Sequence, residues 1–181
     1  DHLEDWAAKM GVGTLSTEPD DVFKDENIDA VLVFSSTDTH VKFIIEAAKA
    51  GKDVFCEKPI GSNVDKIREA LEVVEKSGVK LMVGFNRRFD HNFSRVRKAV
   101  DEGNVGDPHL IKITSRDPAP PPLEYVKVSG GLFFDMTIHD WDMARFLANS
   151  EVEEVYATGQ VMISEEIKGI DIDTAAAILK Y

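Results

Sequence analysis

Short apolar segments alternate with amphipathic segments through the first half of the chain. Residues 30–34 form a continuous apolar run rich in β-branched side chains, which predicts a strand covered on both faces. Residues 39–50 then have helical spacing of apolar positions. The same order recurs in residues 53–56, in a helix from about 64 to 76, and in a strand over 80–84. This alternation predicts an α/β fold with a parallel sheet and covering helices.

The pattern changes near the middle of the chain. A helix is predicted for about residues 92–101, and residues 110–114 then alternate apolar and polar side chains, as in a half-buried antiparallel strand. Four of the seven prolines lie in residues 118–122, which predicts a loop or an extended segment outside any sheet. The sequence therefore predicts two domains, residues 1–89 and residues 90–181.

Composition and charge narrow the function classes. The 181 residues include 33 acidic and 21 basic side chains, a formal charge of −12 that repels nucleic acid and anionic lipid. Apolar runs are all much shorter than a bilayer span, and the single cysteine, Cys56, cannot form an intrachain disulfide. We therefore predict a soluble, cytoplasmic protein that binds neither nucleic acid nor membranes.

A polar stripe on an otherwise apolar helix is the strongest chemical signal. In a helix over residues 130–147, Asp135, His139 and Asp142 fall within about 60° of one another on one face. A buried carboxylate or imidazole needs a partner, so this stripe faces polar groups, water or a ligand. A hydrogen-bonded structural trio and a His–Asp metal pair are alternatives to acid/base catalysis. Because the sequence offers no evident third ligand, we predict no metal.

Two segments that follow predicted strands carry further candidate residues. Ligands of open parallel sheets bind at the carboxyl ends of the strands. The hydroxyl-rich residues 35–40 follow one strand and either bind a ribose or diphosphate or only cap the next helix. Glu57-Lys58-Pro59 follows the predicted strand at 53–56. Its charged residues either form a surface ion pair, or the turn positions the amine of Lys58 for a function. An imidazole base and an amine that holds the oxygen fit alcohol oxidation, which needs a cofactor to accept hydride.

The glycine fingerprint of such cofactor sites is absent from the chain. Gly11-Val12-Gly13 supplies only its first two glycines and follows a predicted helix with apolar residues at positions 3, 6, 7 and 10, so we interpret it as a turn. At the other end, residues 173–181 read as a strand with no turn after it. We therefore expect the chain to be a fragment that lacks the first strand–helix unit.

Four motifs, in order and at similar spacing, resemble the glucose-fructose oxidoreductase / inositol dehydrogenase (Gfo/Idh/MocA) family, and in particular its inositol-oxidising members. They are Phe55-Cys56-Glu57-Lys58-Pro59, Gly84-Phe85-Asn86-Arg87-Arg88-Phe89, Ser115-Arg116-Asp117-Pro118, and Gly130-Gly131 through Asp135-x-x-x-His139-Asp140. The resemblance covers nearly all of the chain. It implies part of a Rossmann domain that binds NAD, with NADP possible, followed by part of an α+β domain. The second domain is implied to have an open, mostly antiparallel sheet that packs against another subunit. The protein is thereby implied to be a homo-oligomer, either a dimer or a homotetramer.

The same resemblance implies a reaction and a set of site residues. The reaction is NAD-dependent oxidation of a cyclic polyol hydroxyl to a ketone, foremost of myo-inositol to 2-keto-myo-inositol. Alternatives are a dehydrogenase of scyllo-inositol or another sugar, and a redox-silent sugar-binding module on the same fold. Lys58, Asp135 and His139 match the catalytic trio, which also contacts substrate, and Asp117 matches a further substrate contact. The implied cofactor contacts are Ser35, Ser36, Thr37, His40, Glu57 and Lys58.

Overall fold

The computed structural model describes residues 2–181 and divides the chain into two compact units. The first unit ends at Val83 and the second begins at Gly84. The sequence places the domain boundary after residue 89, and that boundary stays a prediction. Among the helices of the described residues, none has the length and apolar character needed to cross a bilayer.

The first unit contains a three-stranded parallel sheet. Strands β1 (Ala30–Val33), β2 (Asp53–Cys56) and β3 (Leu81–Val83) lie in the order β1-β2-β3. Helix α3 (Thr37–Lys49) connects β1 with β2, and helix α4 (Val64–Ser77) connects β2 with β3. The unit begins with α1 (His2–Met10) and α2 (Pro19–Lys24). This confirms the predicted alternation of strands and helices, and it brings the carboxyl ends of β1 and β2 to the same sheet edge.

Local sequence signals account for the limits of α4. The Asn63 side chain accepts a hydrogen bond from the Lys66 N–H at the start of the helix, and Gly78 ends it in the left-handed region at φ +71°. Helices α3 and α4 pack against each other, and α3 packs against β1 and β2. The resulting core comprises Val33, Ile44, Ala47, Ala48, Val54, Cys56, Ala70 and Val74.

Strand β1 is not covered on both faces, contrary to the prediction from its apolar run. Val33 is buried, but Leu32 is 64% exposed. Strand β1 is an edge strand of the sheet that the described residues form, and only the face that carries Val33, Val54 and Cys56 is closed by helices. A continuous apolar run shows that both faces of a strand carry apolar side chains, but it does not show whether other elements cover those faces.

The second unit combines helices with a two-stranded antiparallel sheet. Its strands, β4 (Glu154–Gln160) and β5 (Thr174–Lys180), pair so that Glu154 lies opposite Lys180. Its helices are α5 (His91–Asp101), α6 (Leu123–Ser129), α7 (Gly131–Asp135) and α8 (Ile138–Ala148), with 3₁₀ turns at Asn86–Phe89 and Glu165–Ile167. The helix predicted for residues 92–101 is therefore confirmed as α5.

Residues 110–114 do not form the predicted strand. Ile111 and Ile113 are half-buried and Lys112 is exposed, so the alternation in the sequence does describe the exposure of the segment. The two strands of the described second unit pair only with each other, which leaves this segment without a hydrogen-bonded neighbour. Residues 118–122 contain neither helix nor strand, as their prolines predict.

The single helix predicted through the polar stripe is instead two helices, α7 and α8. Between them, the Thr137 N–H donates to the Leu132 carbonyl five residues earlier (2.9 Å). The His139 N–H then donates to the Met136 carbonyl three residues earlier (3.3 Å). A wide turn followed by a tight one shifts the hydrogen-bond register. Asp135 and His139 therefore lie on consecutive helices and do not share one regular helix face.

Candidate active site

The hydroxyl-rich segment after β1 leads into α3. The Ser35 and Thr39 hydroxyls lie 2.6 Å apart, and the Thr39 hydroxyl donates to the Ser36 carbonyl (2.7 Å). Ser36 occupies the N-cap position of α3, but no side-chain hydrogen bond caps the helix there. Ser35 and Ser36 are exposed and Thr37 is half-buried. The helix-capping alternative is thus not what the structure shows, and polar groups face outward at this strand end.

His40 lies beneath this segment and is only 2% exposed. Its Nδ1 lies 2.8 Å from the Pro59 carbonyl oxygen, and its Nε2 lies 2.9 Å from the Ser35 carbonyl oxygen. The family resemblance implies a cofactor contact for this ring. In the structure both ring nitrogens instead contact the backbone, one after β1 and the other after β2.

The Glu57-Lys58-Pro59 segment turns the chain at the end of β2. The Glu57 N–H donates to the Val33 carbonyl (3.0 Å), and the Glu57 carboxylate accepts a hydrogen bond from the Lys58 N–H (3.1 Å). The Lys58–Pro59 peptide bond is cis. Glu57 and Lys58 are half-buried and Pro59 is buried. The structure therefore places this turn beside the hydroxyl-rich segment, at one edge of the parallel sheet.

In the second unit, a pair of glycines allows a carboxylate to approach the start of α7. Gly130 and Gly131 have φ values of +87° and +77°. The Leu132 N–H donates to Asp171 Oδ2 (2.7 Å), and a Cβ added at Gly131 would lie 2.6 Å from Asp171 Oδ1. Both the backbone conformation and the close approach therefore require glycine.

Asp135, at the end of α7, accepts a hydrogen bond from the Tyr125 hydroxyl of α6 (2.9 Å). Burial and this hydrogen bond, in that order, raise the pKa of Tyr125 above its ordinary value. The periodicity of α7 and α8 gives no indication of this contact, because Tyr125 lies on a separate helix, α6, that precedes α7. Tyr125 is a residue near the candidate site that the sequence analysis missed.

His139 is half-buried in the first turn of α8, and its neighbour Asp140 anchors that turn. Asp140 Oδ1 accepts hydrogen bonds from the Arg87 guanidinium (2.6 Å) and from the Ser115 hydroxyl (2.6 Å). Arg87 and Ser115 belong to two of the motifs that carry the family resemblance. Their contacts give those motifs a role in holding the turn that carries His139.

Asp142 is predicted to be part of the polar stripe, but in the structure its side chain forms an ion pair with Arg88. Its carboxylate accepts three hydrogen bonds from Arg88 at 2.6–3.1 Å, and these bonds raise the pKa of Arg88. The Arg88 guanidinium also lies over the Phe146 ring at 5.1 Å. Asp142 therefore has a structural role, but its partner is Arg88 and not another member of the predicted trio.

Asp117 lies in the irregular segment before the proline-rich loop, where its side chain is exposed.

Within the described part of the chain, His, Cys, Asp and Glu side chains form no group of three that could hold a metal ion. The remaining candidates offer polar groups at the ends of parallel strands in the first unit. In the second unit they offer an imidazole in one helix and a carboxylate in the preceding helix.

The chain belongs to an oxidoreductase family. Residues 2–85 match the oxidoreductase family with an NAD-binding Rossmann fold, and residues 93–181 match the GFO/IDH/MocA C-terminal domain. These matches confirm the resemblance that the four motifs indicate.

Among its relatives, the chain is 51% identical to myo-inositol 2-dehydrogenase of Thermotoga maritima, in an alignment that covers 100% of this chain and 54% of the relative. A crystal structure of a probable dehydrogenase from Thermotoga maritima has a TM-score of 0.96 and 51% identity, covering 99% of this chain and 55% of that one. Scyllo-inositol dehydrogenase from Lactobacillus casei, solved with NAD(H) and scyllo-inositol, has a TM-score of 0.87 and 36% identity, covering 98% of this chain and 54% of that one. The chain thus spans about half the length of the relatives it matches. The predicted fold class, a Rossmann-type domain followed by a second α+β domain, is confirmed.

Proposed function

We propose that the protein oxidises a hydroxyl of a cyclic polyol to a ketone with NAD as cofactor, and that myo-inositol is the substrate and 2-keto-myo-inositol the product. The observation that carries the proposal is 51% identity along the whole chain to a relative named myo-inositol 2-dehydrogenase. The neighbour solved with NAD(H) and scyllo-inositol supports the same classes of cofactor and substrate.

In this reaction His139 is the general base that accepts the proton of the substrate hydroxyl. Asp135, which Tyr125 holds by a hydrogen bond, supports the charged imidazole that results. The Lys58 ammonium donates to the reacting oxygen and stabilises the negative charge that develops on it. NAD would be held by the residues that follow β1 and β2, and it would supply the acceptor for the hydride in this oxidation.

The polar groups after β1 and β2 suit a dinucleotide, because such cofactors bind at the carboxyl ends of parallel strands. The exposed hydroxyls of Ser35 and Ser36 precede α3, whose N-terminus has no side-chain cap. We assign Ser35, Ser36, Thr37, Glu57 and Lys58 to cofactor contacts. NADP is the alternative cofactor.

Replacing His139 tests the catalytic assignment. The His139→Ala variant should lower kcat by about a hundredfold or more, which is the usual contribution of a general base. Reduced nicotinamide is followed by absorbance, with circular dichroism to confirm folding. His109→Ala, which changes an exposed histidine of the same unit, is the control and should keep normal turnover. Near-normal turnover of His139→Ala would remove His139 from the role of base.

A comparison of substrates tests the choice of polyol. We expect the highest kcat/KM with myo-inositol, and scyllo-inositol is the second candidate because of the Lactobacillus casei neighbour. Asp117→Asn should raise KM for the polyol more than it changes KM for NAD, since we assign Asp117 to substrate hydroxyls. Polyol binding without reduction of NAD or NADP would favour the redox-silent module instead.

We also propose a cytoplasmic homo-oligomer, a dimer or homotetramer, that associates through the β4–β5 sheet. Val155, Tyr156 and Ile178 of these strands are each at least 65% exposed, which supports an interface there. Analytical ultracentrifugation should show a species larger than the monomer, and Tyr156→Lys should shift it toward the monomer. A monomeric wild-type protein would contradict the assembly without affecting the proposed reaction.

A further inference from the structure

The imidazole of His40 bridges two backbone segments at the carboxyl edge of the parallel sheet. Nδ1 contacts the Pro59 carbonyl at 2.8 Å and Nε2 contacts the Ser35 carbonyl at 2.9 Å, while the residue is only 2% exposed. The ring belongs to α3, so it connects this helix to the segments that follow β1 and β2. Each nitrogen lies against a carbonyl oxygen, which accepts a hydrogen bond when that nitrogen carries a proton, so neither nitrogen remains for cofactor or substrate.

This bridge begins where the backbone hydrogen bonds between β1 and β2 end. The Glu57 N–H donates to the Val33 carbonyl (3.0 Å), and beyond that bond the His40 ring joins Ser35 to Pro59. Lys58 lies between the two connections, with Glu57 fixed on its amino side and Pro59 on its carboxyl side. The backbone from which the Lys58 side chain projects is therefore held from both directions.

We propose that His40 is a positioning residue that fixes the backbone of Lys58 through the Pro59 carbonyl. The inference rests on the proposed function, in which Lys58 stabilises the reacting oxygen. Catalysis depends on such positioning, because a displacement of about 1 Å can cost about a hundredfold in rate.

Two amide variants separate the two contacts of the ring. An asparagine amide can occupy the place of Nδ1, so His40→Asn can keep the hydrogen bond to Pro59 and lose the one to Ser35. A glutamine amide can occupy the place of Nε2, so His40→Gln can keep the hydrogen bond to the Ser35 carbonyl and lose the one to the Pro59 carbonyl. Both variants change the same buried position, and they differ in which carbonyl loses its partner.

The proposal predicts that His40→Gln lowers kcat/KM by about ten- to a hundredfold, and that His40→Asn lowers it about threefold or less. In the Lys58→Ala background, His40→Gln should cause almost no further loss, because it acts through Lys58. Ile44→Val changes a buried core residue of α3 whose side chain cannot form a hydrogen bond to either carbonyl, so it is the control for destabilisation alone and should leave kcat/KM unchanged. Equal losses in both amide variants, or a full further loss in the Lys58→Ala background, would overturn the proposal.

Amide hydrogen exchange gives a readout that does not need turnover. Peptides that cover residues 57–61 should exchange faster in His40→Gln than in His40→Asn, while peptides from α4 remain unchanged. Equal exchange in the two variants would show that the Pro59 contact does not hold the turn, and would overturn the proposal. If the wild-type protein oxidises no polyol, the proposed function fails, and the exchange experiment still decides whether His40 positions the backbone of Lys58.

Discussion

Replacing Asp142 with asparagine removes the charge that holds Arg88 to α8. The Asp142 carboxylate accepts three hydrogen bonds from Arg88 at 2.6–3.1 Å, and its side chain is only 7% exposed. Hydrogen bonds to charged groups contribute about 1.5–3 kcal/mol, and breaking a buried ion pair costs about 3–5 kcal/mol. Because the Arg88 side chain is 38% exposed and can regain water, we expect Asp142→Asn to lower the free energy of unfolding by about 2–3 kcal/mol.

The assay is urea unfolding followed by the fluorescence of Trp141, which precedes Asp142 in α8. The chain has two tryptophans, so a Trp6→Phe background makes the signal specific to the second unit. Glu154→Gln is the matched control, because the Glu154–Lys180 contact is also 2.6 Å but its side chains are 71% and 59% exposed. The control should lose about 0.5 kcal/mol, as exposed ion pairs do.

Salt distinguishes the two pairs further. Molar sodium chloride should abolish the effect of Glu154→Gln and leave most of the effect of Asp142→Asn, because buried charges are screened less. If Asp142→Asn costs no more than Glu154→Gln, the desolvation of the pair cancels its hydrogen bonds, and the reasoning from burial is refuted.

Three further predictions concern acid stability, a helix end and a thiol. The N–H groups of Met162 and Ser164 lower the pKa of Asp173 from 3.8 to about 2, so its contribution to stability is present above pH 3.8 and is lost as the pH falls toward 2. The difference in urea midpoint between wild type and Asp173→Asn should therefore shrink over that interval, and a constant difference would contradict the shift. Gly78→Ala should cost about 1 kcal/mol in urea unfolding, because φ is +71° but no atom lies within 4 Å of the added Cβ; Gly78→Asn should cost less, and equal stability of all three proteins would argue against the left-handed conformation. Burial raises the pKa of Cys56 to about 12, so mass spectrometry should find iodoacetamide on this thiol at pH 8 only after unfolding, and rapid labelling of the folded protein would contradict its burial.

Local signals are enough to predict most elements of the first unit. Strand β2 has the predicted bounds, and α4 ends before Gly78 as its left-handed conformation requires. The failures involve neighbours that are distant in sequence. Residues 110–114 alternate as a strand does but have no pairing partner, and the exposure of Leu32 depends on what covers β1.

The candidate site shows the same division. The polar character of Asp135 and His139 is visible in the sequence, but the register shift between α7 and α8 depends on backbone hydrogen bonds that periodicity does not reveal. The Arg88–Asp142 pair joins residues 54 positions apart, and this contact decides that Asp142 is structural. The family resemblance identifies the motif that contains Arg88, but it does not indicate that Arg88 pairs with Asp142.

The wide turn between α7 and α8 separates the orientation of two side chains that are close in sequence. The Tyr125 contact fixes the carboxylate of Asp135, whereas Arg87 and Ser115 fix the helix that presents His139. Each group is therefore adjusted by its own set of neighbours. Removing one residue from this turn would rotate the whole of α8 by about 100°, which would turn its imidazole away while leaving the carboxylate in place.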